Sequence, residues 1–110
     1  MNLRETELGI EISFARFLTF FGFQDTTIDD LKNYYPQLDF QTMHQVHGKD
    51  YQTISKAQLA EPQCDALVTS TKSIALVVKS ADCLPIMIAD EKAGKVAGIH
   101  AGWKGVENRI

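Results

Sequence analysis

Apolar residues gather in short runs between turn-forming residues, and the run lengths predict strands more often than helices. From Ile10 to Phe23 the chain carries Phe14, Phe17, Phe20, Phe21 and Phe23 with few charges. High β-propensity there predicts a hairpin or one bent strand. Thr27-Ile28-Asp29-Asp30 predicts a helix start, because Thr27 can cap and two acids suit the positive end of the helix dipole. Ile28, Leu31 and Tyr35 share one helical face, and Pro36 ends the helix. Phe40 to Val46 predicts a strand stopped at Gly48, with Tyr51 to Ile54 as its hairpin partner. Lys56 to Gln63, with Pro62, is a connector.

The second half is patterned more simply. Ala66 to Thr69 predicts a strand. Ile74 to Val78 is an unbroken apolar run, which predicts a strand buried on both faces. Leu84 to Ala89 predicts another, with Pro85 tolerated because it stands near the start. The short turn at Asp90 to Gly94 makes that strand an antiparallel neighbour of Val96 to Ile99. Val106 to Ile110 reads as the first turn of a further helix.

Length and charge narrow the classes. A chain of 110 residues with 45% apolar content forms one domain with a real core. A net charge of −3 without a basic block argues against nucleic-acid binding. No apolar run approaches the ~18 residues of a membrane span, and Glu5 and Glu7 stand where a secretory signal would be basic and then apolar. The expectation is a cytoplasmic protein without a membrane partner. Two cysteines, Cys64 and Cys83, make no disulfide framework, so a free thiol or a ligand is expected.

Three groups of metal-ligand or proton-transfer type stand beside predicted strands: His47 in Gln45-Val46-His47-Gly48, Cys83 in Ala81-Asp82-Cys83-Leu84-Pro85, and His100 before Ala101-Gly102-Trp103-Lys104-Gly105. Their wide separation is unlike a zinc finger, whose ligands come in close pairs, but suits a site assembled from separate strand ends. Three such ligands leave a fourth position open, as a catalytic zinc requires. The competing reading is that each is a structural core residue. His44 is set aside, since residues three apart on a strand face opposite sides. Cys64 reads as a small buried residue, and Asp82 as a local turn cap. Gly102, Lys104 and Gly105 form an anion-binding turn, in which glycines admit close approach and a helix start offers free N–H groups. The alternative is a turn that only packs Trp103.

Four ordered motifs, Gln45-Val46-His47-Gly48, Asp65-Ala66-Leu67-Val68-Thr69, Ala81-Asp82-Cys83-Leu84-Pro85 and His100-Ala101-Gly102-Trp103-Lys104-Gly105, resemble the multicopper polyphenol oxidase or laccase-domain family over about Gln41 to Gly105. That family is also described as purine nucleoside phosphorylases with adenosine deaminase activity, and it includes bacterial peptidoglycan editing factors. The resemblance implies an α+β fold, a mixed β-sandwich flanked by helices and similar to Cys/His toxin deamidases. It implies zinc held by His47, Cys83 and His100, with copper in the older description. It implies phosphorolysis of adenosine, inosine and 5′-methylthioadenosine, so that purine nucleoside and phosphate are the partners.

Departures from the family pattern qualify that picture. Lys104 stands where the family usually has Arg, which keeps the charge and loses bidentate phosphate recognition. The first 40 residues are short for the family and lack its Arg-Gly-Gly-Ser-like segment. The chain resembles an N-terminal portion, a partial domain spanning 1–110 and incomplete at its C-terminal end. Two alternatives to the zinc enzyme follow. One is a metal-free hydrolase with Cys83 as nucleophile and His100 as base. The other is an inactive fragment that self-associates through an uncovered sheet edge.

Overall fold

The computed structural model describes residues 1–80 and 84–102. Among these residues the chain forms β1 (Asn2–Glu5), β2 (Gly9–Phe14), β3 (Phe17–Gly22), α1 (Ile28–Tyr34), β4 (Asp39–Gln41), β5 (Tyr51–Thr53), β6 (Ala66–Thr69), β7 (Ile74–Leu76), β8 (Leu84–Asp90) and β9 (Lys95–Ala101). Among the described residues strand far outweighs helix, 45% against 7%, with several sheets. The helices expected to flank the sheets reduce, among the described residues, to α1. Two compact units divide the chain, 1–38 and 39–110.

The first unit is a three-stranded antiparallel sheet, β1-β2-β3, followed by α1. The expected hairpin is β2–β3, closed between Phe14 and Phe17. Strand β1 has little sequence signal, because Leu3 is its single apolar residue and Asn2 to Glu5 are all exposed. Helix α1 starts as predicted. The Thr27 hydroxyl accepts from the Asp30 N–H, and the Asp30 carboxylate accepts from the Thr27 N–H, a reciprocal capping box. Removing such a cap costs about 1 kcal/mol. Tyr35 packs edge-on against Phe20 and donates its hydroxyl to Glu11, which also pairs with Arg4 at 3.0 Å. Burial, then the Glu11 carboxylate, raises the Tyr35 phenol above its ordinary value of 10.0.

The second unit holds a parallel pair, β4-β7, and a four-stranded sheet ordered β5-β6-β9-β8. Here two expectations fail. Tyr51 to Ile54 does not form a hairpin with the preceding strand; β5 runs parallel to β6, and β4 runs parallel to β7. Nor does a strand continue to Val46. It ends at Gln41, and His44 keeps only an isolated bridge to Gln63. A long-range contact replaces it: the amides of residues 46–48 wrap around Asp65, 17 to 19 positions away. The apolar run at Ile74 to Val78 is also not buried on both faces. Ile74 is buried and residues 75–78 are half-buried, because β7 joins a two-stranded sheet rather than the middle of a large one.

The core of this unit is Met43, Ile54, Cys64, Leu67 and Ile74, with Leu76 and Val78 packed against it. Full burial of a side chain such as Leu67 contributes about 2 kcal/mol. Strands β8 and β9 are antiparallel neighbours, as expected, with Pro85 opposite His100. Their turn is fixed by Asp90, whose carboxylate accepts from the Lys92 and Ala93 N–H groups, and by Gly94 at φ 65°. Gly98 in β9 admits a close approach: a Cβ there would lie 3.0 Å from Val78 Cγ2. Val78 therefore lies across the face of β9 that also carries His100, two residues on. Among the described residues no helix is long and apolar enough to cross a membrane.

Candidate functional site

Asp65 stands one residue before β6, and its side chain is wholly buried. A charged group on the way into an apolar strand requires partners. It has four. Oδ1 accepts from the His47 N–H at 3.0 Å and engages His100 Nδ1 at 2.8 Å. Oδ2 accepts from the Gly48 N–H at 2.8 Å and the Val46 N–H at 3.2 Å. Three consecutive amides converging on one carboxylate form a nest, an anion-binding concavity built from backbone. His47 at its centre has φ 60°, the left-handed conformation that side chains other than glycine adopt at a cost. Burial pushes the Asp65 carboxyl up, but the hydrogen bonds from His100, Gly48, Val46 and His47 outweigh it and hold it below its ordinary value of 3.8.

Backbone pairing places His100. Ala66 lies opposite Ile99 in the β6–β9 ladder, and the His100 N–H donates to the Asp65 carbonyl at 2.7 Å. The His100 side chain is 3% exposed. The His47 ring meets it edge to face, with centroids 5.1 Å apart and planes at 68°. Two imidazoles of the expected trio thus come together.

Gln45 anchors the loop from its other side. Its Nε2 donates to the Lys79 carbonyl at 2.7 Å, and its Oε1 accepts from the Lys79 N–H at 2.8 Å. A side-chain amide here takes the place of a neighbouring strand. The 45–48 loop is therefore tied both to the entry of β6 and to the segment that follows β7.

Cys83 and its neighbour Asp82 lie outside the described residues, as do Trp103, Lys104, Gly105 and the helix start expected at Val106 to Ile110. Gly102 is described and is buried at the end of β9. Strand β8, which follows Cys83 in the chain, begins at Leu84 opposite Ala101, the neighbour of His100. Among the described residues no three His, Cys, Asp or Glu side chains form a group that would hold a metal ion. Two neighbouring imidazoles, one backed by a carboxylate, nevertheless fit a borderline metal such as zinc, since metal-binding histidines are commonly oriented by a second hydrogen bond.

His44 is exposed, and no strand alternation puts it there, since it keeps only an isolated bridge to Gln63. Cys64 is a buried core residue, also as expected. Burial raises its thiol above the ordinary value of 9.0, and the Asp65 and Asp50 carboxylates add to the effect. Sequence reasoning missed the roles of Asp65 and Gln45. The available signal was Asp65 itself, an acid wedged between Cys64 and the apolar Ala66-Leu67-Val68.

A profile of the multi-copper polyphenol oxidoreductase laccase family matches residues 29–110, and the chain belongs to that family. It is similar to a purine nucleoside phosphorylase of Rickettsia conorii, 34% identical over 80 residues covering 73% of this chain and 33% of that protein. A purine nucleoside phosphorylase of Deinococcus radiodurans is 42% identical over 72 residues, covering 66% of this chain and 28% of that protein. Among crystal structures, a Neisseria meningitidis protein superposes with a TM-score of 0.64 at 28% identity, covering 79% of this chain and 37% of that one. YlmD from Geobacillus stearothermophilus does so with a TM-score of 0.55 at 31% identity, covering 68% of this chain and 32% of that one. The chain spans about a third of the length of the curated relatives it matches.

Proposed function

We propose that this chain carries the His47, Cys83 and His100 centre of a purine nucleoside phosphorylase that acts on adenosine, inosine or 5′-methylthioadenosine and also deaminates adenosine. The observation that supports it most is the apposition of His47 and His100 beside the buried Asp65. The relatives named purine nucleoside phosphorylase support its phosphorolysis part. His47, Cys83 and His100 would hold zinc, or copper as the family's older description has it, and a zinc ion would supply Lewis acidity at the reacting group. In phosphorolysis a phosphate oxygen bonds to the ribose C1′ as the C1′–N9 bond breaks, and the departing purine takes the electron pair and a proton. The turn of Gly102, Lys104 and Gly105 is the proposed phosphate cradle, with Lys104 as its charge. A cytoplasmic location and a toxin-deamidase-like sandwich belong to the same proposal.

The test is adenosine with phosphate. Adenine and ribose 1-phosphate should form, and Cys83→Ala, His47→Ala and His100→Ala should each abolish the reaction. Absence of adenine, hypoxanthine or inosine above background would end the reading.

The 2.8 Å contact between Asp65 and His100 favours a second reading. An acid-backed histidine suits a general base, with Cys83 as nucleophile and no metal. Metal analysis separates the two: stoichiometric zinc lost on His47→Ala supports the first, and a metal-free protein with an alkylatable Cys83 supports the second. Self-association through the β8 edge is a further proposal, motivated by exposed Leu84 and Ile88 on that strand. Sedimentation of the chain beside its Ile88→Lys variant tests it, and a monomer at all concentrations would remove it.

A further inference from the structure

We propose that Asp65 is the positioning residue of this centre, holding His100 in the tautomer whose lone pair sits on Nε2 while it fixes the backbone that carries His47. The inference rests on reading His47 and His100 as site residues.

Each Asp65 oxygen has two nitrogen partners. Oδ1 takes the His47 amide and the His100 ring, and Oδ2 takes the Val46 and Gly48 amides. The Val46, His47 and Gly48 amides can only donate, so the carboxylate that faces them acts as an acceptor. The hydrogen between Asp65 and His100 then belongs to Nδ1, and Nε2 keeps the lone pair. That is the atom a metal or a transferred proton needs. Burial removes competing water, since Asp65 is 0% and His100 3% exposed at the side chain. A single atom, Oδ1, also bridges the His47 backbone and the His100 ring, so the carriers of both imidazoles share one anchor.

Structural support of the loop alone would need only an acceptor for three amides. The isosteric Asp65→Asn separates that role from the proposed one. An asparagine has one accepting oxygen and one NH2. If the oxygen keeps the Val46 and Gly48 amides, the NH2 faces His100 and the His47 amide, so one backbone donor loses its acceptor, Nδ1 must accept, and the hydrogen moves to Nε2. If the oxygen faces His100 instead, the NH2 opposes two backbone donors and the loop is released.

The test is imidazole tautomer by long-range 1H–15N correlation on the 15N-labelled 110-residue chain at pH 8. Only three histidines need assignment, by single replacement with glutamine. Wild-type His100 is expected with hydrogen on Nδ1 and a bare Nε2. Asp65→Asn is expected to move the hydrogen to Nε2 and to weaken zinc binding, titrated in the same spectra, about 10–100-fold. His44→Gln should change neither. A wild-type His100 carrying hydrogen on Nε2 overturns the proposal whatever the variant does. So does a folded Asp65→Asn chain that keeps the Nδ1–H tautomer and binds zinc within about twofold of wild type. A tautomer switch in a chain that binds no zinc and turns over no nucleoside would leave Asp65 in its role and remove the phosphorylase reading.

Discussion

Asp65 and His100 are joined twice: the His100 ring engages the Asp65 carboxylate at 2.8 Å, and the His100 amide donates to the Asp65 carbonyl at 2.7 Å. The side-chain contact thus sits on top of a main-chain one. The β6–β9 ladder delivers the imidazole, and the carboxylate orients it. Testable consequences follow from this arrangement and from the packing around it.

His47 occupies a left-handed backbone position, where glycine is free of the cost borne by other residues. His47→Gly should therefore be more stable than His47→Ala by about 1 kcal/mol, while both lose the imidazole and any activity that needs it. Urea denaturation of the two variants checks this. Equal midpoints would mean that the 46–48 loop does not hold its conformation in solution.

Gly98 lets Val78 cross the face of β9, where an added Cβ would lie 3.0 Å from Val78 Cγ2, closer than nearly all side-chain contacts. Gly98→Ala should cost about 1–3 kcal/mol through overpacking. Val78→Ala added to it should recover part of that loss, a coupling expected only of touching residues. A four-variant thermal melt series measures both.

Cys64 is 0% exposed, and its thiol is pushed up by burial. In a Cys83→Ala chain it is the sole remaining cysteine. It should react with a disulfide reagent at pH 8 roughly a hundredfold more slowly in the native chain than in urea. Rapid labelling of the native chain would contradict the packed core drawn around it.

Tyr35 has its phenol raised by burial and by Glu11. The sign follows from linkage: the unfolded chain ionises near 10.0 while the folded chain keeps its proton. The stability contributed is fully present below pH 10 and falls away as pH rises above it. Melting temperatures from pH 8 to 11 should decline more steeply for wild type than for Tyr35→Phe. At pH 7 that variant should lose about 1 kcal/mol with the hydrogen bond to Glu11.

Much of the strand pattern was legible because it is local. The Phe-rich hairpin, the Thr27 cap, β6, and the β8–β9 pair with its four-residue turn all announce themselves within a few residues. What escaped was long-range. The pairing of β5 with β6 rather than with β4 depends on residues that no local window contains. Residues 42–46 look like strand by composition, yet Asp65 claims the amides of 46–48 from 17 to 19 positions away. His47 and His100 were recognisable by side-chain type and motif. Asp65 was not, since an aspartate before a strand ordinarily reads as a turn residue, and only burial shows otherwise. Gln45 was hidden for a similar reason, its amide acting as a strand surrogate for Lys79.

The contact between Asp65 and His100 closes a loop of 35 residues, and it forms only on the ladder between β6 and β9. No peptide containing one half of it can show a partial version. During synthesis the first imidazole and its carboxylate emerge well before the second, so the centre comes into being late, in the step that completes the sheet. A mutation that slows pairing of β6 with β9 should therefore delay this geometry without touching any residue in it.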